Sequence, residues 1–344
     1  MMRLFTKLFP LFIVVLIGIL LLYQILWAPN NFDDDRVVTI SKGMSFARVA
    51  DSLAVAGVIR NRKLFELAGE LLGMTRQMHI GKYLFHPGIS NKGILDDLGT
   101  GESAMLIAVT VREGVRARTQ ARIFAREVGI DPAHFLQLVT DPQFVHSLGV
   151  KANSLEGYLL PDTYLFYWQT DEEQIIRRMV EGFQRFYVDS IQLRAGKLGM
   201  TTNRVLTLAS IVEGEAILDN ERPIIAGVYY NRLKKRMRLQ ADPTIQYIID
   251  DGPRRLFYDD LWIQSPYNTY RNYGLPPGPI NNPGRASILA TLYPARHKYL
   301  YFVANDQGGH TFSRTYTEHK RAAARFRKIR AHQNAQQLRV TSLE

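Results

Sequence analysis

The chain has 344 residues, 46% of them hydrophobic, and no cysteine. That length and apolar content suit two ordinary domains plus an anchor and exclude a disordered chain; the lack of cysteine excludes disulfides, thiolate metal sites and cysteine nucleophiles. A formal net charge of +11 points to an anionic setting: a membrane surface, a polyanionic cell wall or nucleic acid.

Leu8 to Trp27 is a run of twenty residues without a charge, long enough to span a bilayer. Arg3 and Lys7 precede it, and Asp33, Asp34 and Asp35 follow. The positive-inside bias therefore puts residues 1–7 in the cytoplasm and the chain beyond a linker at 28–35 outside. The run exceeds a signal-peptide core, carries Tyr23 and Trp27 near its end and lacks an Ala-x-Ala site, so the expectation is an uncleaved single-pass membrane anchor. An exported chain leaves membrane and wall as the anionic partners, and no nucleic acid is expected.

Arg36 to Ile40 alternates like a strand, Ser41-Lys42-Gly43 turns, and Phe46, Val49, Ala50 and Leu53 recur with helical period. About 71 residues on, Ile107 to Arg112, Glu113-Gly114 and the helical Ala121, Phe124 and Ala125 repeat the pattern, as two degenerate copies of a strand–turn–helix unit or as chance similarity of two common turns. Gly81 to Phe85 reads as another strand and Lys92 to Leu98 as a helix, giving a small α+β module over 36–108. A second domain is expected over 109–335, with a tail at 336–344.

In that second domain, residues 155–164 read as an aromatic, polar loop, 171–195 as a helix, and Leu206 to Glu215 as a helix whose apolar stripe is Val205, Leu208, Ala209, Val212 and Ala216. At about 100° per residue, Glu213 falls on the shoulder of the stripe, where apolar neighbours would raise a carboxyl toward the range a general acid needs. The same pattern fits a surface glutamate at a helix edge. Glu215 points about 160° away and does not share that pocket. A third helix opens at Asp219-Asn220 with Pro223 in its first turn. Turn-rich stretches follow at 237–244, 265–270 and 274–278, then a buried strand from Tyr299 to Ala304. Lys320 to Arg330 reads as a basic helix. The eight histidines show no metal-ligand spacing, so neither a metal nor a cofactor is expected.

Several ordered blocks resemble the endolytic murein transglycosylases, the YceG-like (MltG) family. They are Glu-Gly-Tyr-Leu-x-Pro-Asp-Thr-Tyr at 156–164, Ala-Ser-Ile-Val-Glu-x-Glu at 209–215, Glu221-Arg222, Asn231-Arg232-Leu233, Met237 to Thr244, Tyr267-Asn268-Thr269-Tyr270, Gly274 to Gly278 and Gly309-His310-Thr311-Phe312. The resemblance implies a LysM-like glycan-binding module over 36–108, an α/β catalytic domain over 109–335, and Glu213 as the catalytic glutamate. Gly214 departs from the family pattern, which often has Lys or Ala there; a helical glycine costs about 1 kcal/mol against Ala.

The implied substrate is the peptidoglycan glycan strand, cut between N-acetylmuramic acid and N-acetylglucosamine with closure of a 1,6-anhydro ring. One carboxyl suffices there, whereas a hydrolase generally uses two. Glu215, Glu221, Gln240, Asp242, Tyr267 and Asn268 are the nominated supporting or substrate-binding residues, and His310 is expected as a core or supporting histidine. The rivals are a hydrolytic muramidase, with Asp242 or Asp162 as its second carboxylate, and a non-catalytic glycan-binding scaffold. Penicillin-binding synthases and division proteins are the partners the resemblance implies.

Overall fold

The computed structural model describes residues 2–76, 78–250 and 252–341. The side chains of residues 1–8 and 332–344 lie outside the described residues, and with them Arg3 and Lys7 of the charge bias and the expected tail. The chain is mixed α and β and divides into two compact units: residues 1–109, 124–130 and 164–171, and residues 110–123, 131–163 and 172–344.

In the first unit, α1 (Met2–Leu26) contains Phe9–Leu26, a stretch long and apolar enough to cross a membrane. Its last turn joins the unit's core: Leu26 is buried, and Asn91 donates to the Ile25 carbonyl at 2.8 Å. β1 (Arg36–Ile40) pairs antiparallel with β2 (Gly81–Phe85). Alternation turns Val38 and Ile40, and likewise Tyr83 and Phe85, inward, onto α2 (Phe46–Val55), α3 (Arg62–Leu71) and α4 (Asn91–Thr100). Each of these helices starts at a side-chain cap, Ser45, Asn61 and Ser90 respectively. β3 (Ile107–Thr110) pairs with β4 (Thr163–Phe166).

The second unit contains the first turns of α5 (Ala117–Val128), then α6 (Pro132–Thr140), α7 (Pro142–Ser147), α8 (Glu172–Phe186), α9 (Asp189–Lys197), α10 (Thr202–Glu215), α11 (Arg222–Lys234), α12 (Asp242–Ile248) and α13 (Arg285–Leu292). It closes with the antiparallel hairpin β5 (Tyr301–Ala304) and β6 (His310–Ser313), and with α14 (Tyr316–Thr341). The helix expected over 171–195 is two helices. Val188 takes an extended conformation between them, while Tyr187 stacks on Phe183 with ring centroids 5.2 Å apart, so the apolar pattern runs on through the break. β5 is also shorter than the expected strand and only half-buried.

α10 is the axis of this unit. Every residue from Val205 to Val212 is buried, so the helix has no single apolar stripe with a shoulder; it is enclosed all round, as a core helix is. Its two hydroxyls in that stretch are satisfied within the helix, Thr207 on the Asn203 carbonyl at 2.6 Å and Ser210 on the Thr207 carbonyl at 2.8 Å. Burial ends at the last turn, which carries Glu213 and Glu215. Gly214 sits between them because a Cβ there would fall 2.6 Å from the Pro243 ring; close packing accounts for this glycine.

Candidate active site

Glu213 has a polar setting, unlike the apolar pocket expected of it. Its side chain is 7% exposed. Oε1 accepts from Arg222 Nη1 at 2.9 Å, and Oε2 accepts from the Gly284 backbone N–H at 2.9 Å. Both donors come from helix starts: Arg222 opens α11, and Gly284 is the N-cap of α13, where backbone N–H groups lack helical partners. Arg222 is held in turn by Asp219, at 3.0 Å from its Nε, and by the Ser287 hydroxyl. A fixed guanidinium and a fixed N–H thus aim one carboxyl, the kind of positioning that proton transfer requires.

A second carboxyl lies beside it. A Cβ added to Gly284 would fall 1.9 Å from Glu113 Oε1, and one added to Gly114 would fall 3.3 Å from Glu213 Cγ. Glu113 is exposed, yet desolvation and then the charge of Glu213 raise its carboxyl above the ordinary range, with Asp219 adding and Arg222 and Arg285 opposing. The turn that carries Glu113 is set by Gly114, at φ 74°, a conformation that favours glycine. Asn282 fixes the turn. Its backbone carbonyl accepts from Gly114 N–H at 2.9 Å, and its side chain donates to the Val115 carbonyl and to Glu156. Asn282 Oδ1 also accepts from the N–H groups of Gly157 and Leu159. Glu156 accepts from Ala117 N–H at the start of α5, and burial pushes its carboxyl up to about 7.

Glu215 belongs to a different cluster, as its helical angle predicts. It accepts from the Tyr229 hydroxyl at 3.0 Å and from the Asp242 backbone N–H, and desolvation followed by the Asp242 charge pushes it up to about 7. Asp242 opens α12 and accepts from the Tyr270 hydroxyl. A cleft of about 670 Å³ opens on this second cluster, with Arg118, Glu215, Asp242 and Asn281 in its lining; Gly114 and Gly214, the chain neighbours of Glu113 and Glu213, also line it and bring it beside the first cluster, whose two carboxyls are not among its lining residues. Of the nominated residues, Glu215 and Asp242 line this cleft.

The other nominated residues hold loops together. Glu221 accepts from both the backbone N–H and Nδ1 of His310, each at 2.7 Å, with both side chains nearly buried; His310 therefore clamps β6 to the turn before α11. Asn268 is fully buried, donates to the carbonyls of Leu261 and Ile263 and accepts from Tyr270 N–H. Tyr267 packs against Tyr247 at 4.7 Å and is raised by burial. Gln240 is exposed at φ 48°, its N–H donating to the Thr269 carbonyl. Asp162 pairs with Arg285 at 2.8 Å, which holds its carboxyl below the usual range.

Sequence reasoning missed Glu113, Arg222, Gly284 and Asn282 as members of the site. Glu113 before a glycine reads as turn chemistry, Arg222 enters only as half of a family block with Glu221, and Asn282 and Gly284 belong to no motif. The available signal was the acid at the turn of the second strand–turn–helix copy, where the first copy has Lys42.

The YceG-like family matches this chain over residues 38–325. The endolytic murein transglycosylase of Bacillus subtilis (strain 168) is 34% identical over 304 residues, 84% of each chain. The endolytic murein transglycosylase of Streptococcus pneumoniae (strain ATCC BAA-255 / R6) is 28% identical over 332 residues, covering 86% of this chain and 59% of that longer protein. The crystal structure of a YceG-like protein from Listeria monocytogenes superposes with a TM-score of 0.61 at 34% identity, covering 84% of this chain and 98% of the other. With the match running through both strand–turn–helix copies, the Glu213 helix and the His310 hairpin, this chain belongs to the YceG-like family.

Proposed function

We propose that this protein is a membrane-anchored endolytic murein transglycosylase that cuts the β-1,4 bond from N-acetylmuramic acid to N-acetylglucosamine within glycan strands and leaves 1,6-anhydro ends. The observation that carries this reading is a nearly buried carboxyl, Glu213, aimed by Arg222 and the Gly284 N–H beside a cleft. It occurs in a chain whose relatives are named for this activity.

Glu213 is the catalytic carboxyl. Protonation of the glycosidic oxygen lets the C1–O bond break through an oxocarbenium-like state. The muramyl C6 hydroxyl then loses its proton to a carboxylate, and O6 closes on C1. The internal hydroxyl takes the place of water because it is already held at the reacting carbon. In the simplest cycle one carboxyl makes both transfers in succession. Glu215 and Asp242 line the cleft and are placed to meet sugar hydroxyls or N-acetyl groups. Glu221, Gln240, Tyr267 and Asn268 support the loops around it.

Phe9–Leu26 is the anchor, residues 28–35 a linker, 36–108 a LysM-like glycan-binding module and 109–335 the catalytic domain. The N-terminus is cytoplasmic and the rest extracytoplasmic. Anchoring confines cutting to glycan near the outer face of the membrane, where strands are nascent, so the enzyme sets glycan length during wall assembly. Synthases and division proteins are the partners expected at that location.

Mass spectrometry of products from uncrosslinked glycan strands tests the reading. Internal fragments with 1,6-anhydro-muramic ends from the wild type, absent with Glu213→Gln, are expected. Reducing-end products would make the enzyme a hydrolase, and binding without cleavage would make it a scaffold.

A further inference from the structure

We propose that Glu113 is a second catalytic carboxyl of this site, making one of the two proton transfers while Glu213 makes the other. The inference rests on the transglycosylase reading above and divides between two residues the cycle a lone Glu213 would perform.

The geometry centres on Gly284. Its N–H donates to Glu213 Oε2 at 2.9 Å. Its Cα faces Glu113 so closely that an added Cβ would fall 1.9 Å from Oε1 and 2.4 Å from Oε2 of that residue. Gly114, next to Glu113 in the chain, lies against the Glu213 side chain and also lines the cleft. Two carboxyls therefore meet one glycine beside one cleft, and any side chain on that glycine would push them apart.

Their surroundings are complementary. Both oxygens of Glu213 accept from fixed donors, Arg222 and Gly284, and the side chain is nearly buried. Glu113 is exposed, and no hydrogen bond to its carboxyl is found among the described residues. The charged groups facing it are Glu213, Arg222, Asp219 and Arg285; burial and the two acids outweigh the two arginines and raise it. A carboxyl raised in this way and a neighbour fixed by two donors are suited to different roles. The partner with two donors is suited to the carboxylate role, and the partner without donors to carrying the proton.

The step balances. Glu113 gives its proton to the glycosidic oxygen, and the C1–O bonding pair leaves with that oxygen as a sugar hydroxyl. Glu213 takes the proton of the muramyl C6 hydroxyl as the O6–C1 bond forms. One proton leaves the pair and one returns, no water or co-reactant enters, and the pair is reset by passing the proton from Glu213 to Glu113.

The test uses the full chain in detergent with uncrosslinked glycan strands, comparing wild type, Glu113→Gln, Glu113→Asp, Gly284→Ala and Glu213→Gln across pH. We expect Glu113→Gln to lower kcat on the order of 10²- to 10⁴-fold with little change in KM, and Glu113→Asp to recover part of it. The fall of wild-type kcat at high pH, set by loss of the Glu113 proton, should be missing from the residual activity of Glu113→Gln. Gly284 has φ −73° and ψ 166°, which alanine adopts freely, so Gly284→Ala displaces the Glu113 carboxyl in a folded chain and serves if Glu113→Gln misfolds. It too should lower kcat. Wild-type kcat in a folded Glu113→Gln, or in Gly284→Ala, overturns the inference, as does a loss that leaves the alkaline limb unmoved. Inactive Glu213→Gln beside fully active Glu113→Gln leaves the single-carboxyl reading standing, whereas a wild type that forms no anhydro ends removes that reading itself.

Discussion

Glu213 and Glu215 stand two residues apart at the end of α10, and their surroundings are opposite. Glu213 meets a guanidinium, a backbone N–H and a neighbouring carboxyl. Glu215 meets a tyrosine hydroxyl and the N–H of Asp242, with the charge of Asp242 nearby, and its carboxyl is pushed up to about 7. The first arrangement holds one carboxyl between fixed donors with a second carboxyl beside it. The second fastens the start of α12 to the end of α10 and tolerates a neutral acid. A single intervening glycine thus separates the two settings, because residues at i and i+2 face different sides of a helix.

The largest difference between the two acids should appear in turnover. Glu213→Gln is expected to lower kcat by about 10³-fold or more while the thermal unfolding midpoint stays within a few degrees; steady-state assays on glycan strands measure the first and a thermal melt the second. Equal loss of turnover in Glu215→Gln would erase the contrast.

Next in size is a stability effect confined to Glu215. Its carboxyl is near 4.5 when unfolded and about 7 when folded, so the folded state binds the extra proton. The associated stability is fully present below about 4.5 and is lost as pH rises through about 7. The span is worth about 3 kcal/mol. Glu215→Gln should flatten this part of the unfolding free energy against pH, leaving the share due to Glu156, which is raised for the same reason. An unchanged slope would show that Glu215 does not titrate there.

Arg222→Lys should lower kcat roughly 10- to 30-fold, since lysine offers one ammonium where the guanidinium reaches Glu213, Asp219 and Ser287 at once. Unaltered kcat would show that the ion pair does not aim Glu213. Smallest is Tyr270→Phe, which removes the hydroxyl bound to Asp242. Asp242 is exposed, so about 1 kcal/mol of stability should be lost with turnover nearly intact, as denaturant titration and the same assay would record.

The contrast was only partly legible in the sequence. The helix through Leu206–Glu215 and the opposed angles of its two acids follow from periodicity, and the strands at 36–40 and 81–85 follow from alternation between turn residues. The surroundings of α10 do not follow, because enclosure by α11, α12 and α13 is tertiary; periodicity suggested an apolar shoulder for Glu213 where the fold supplies an arginine. Glu113 and Gly284 meet only after distant segments pack. Lys42-Gly43 and Glu113-Gly114 illustrate the limit. Both pairs form the turn that follows a strand, with a left-handed glycine at φ 79° and 74°, and the local pattern is the same although one residue is a base and the other lies against a catalytic candidate. The break at Val188 leaves no mark in the periodicity, because Tyr187 continues the apolar face of α8.

The most direct test of the central claim is to run the reaction in water enriched in heavy oxygen and weigh the new muramyl ends. Closure of the ring by the C6 hydroxyl predicts anhydro ends that carry no label, formed by the wild type and not by Glu213→Gln. Labelled reducing ends from the wild type would mean that water attacks C1, and would contradict the account.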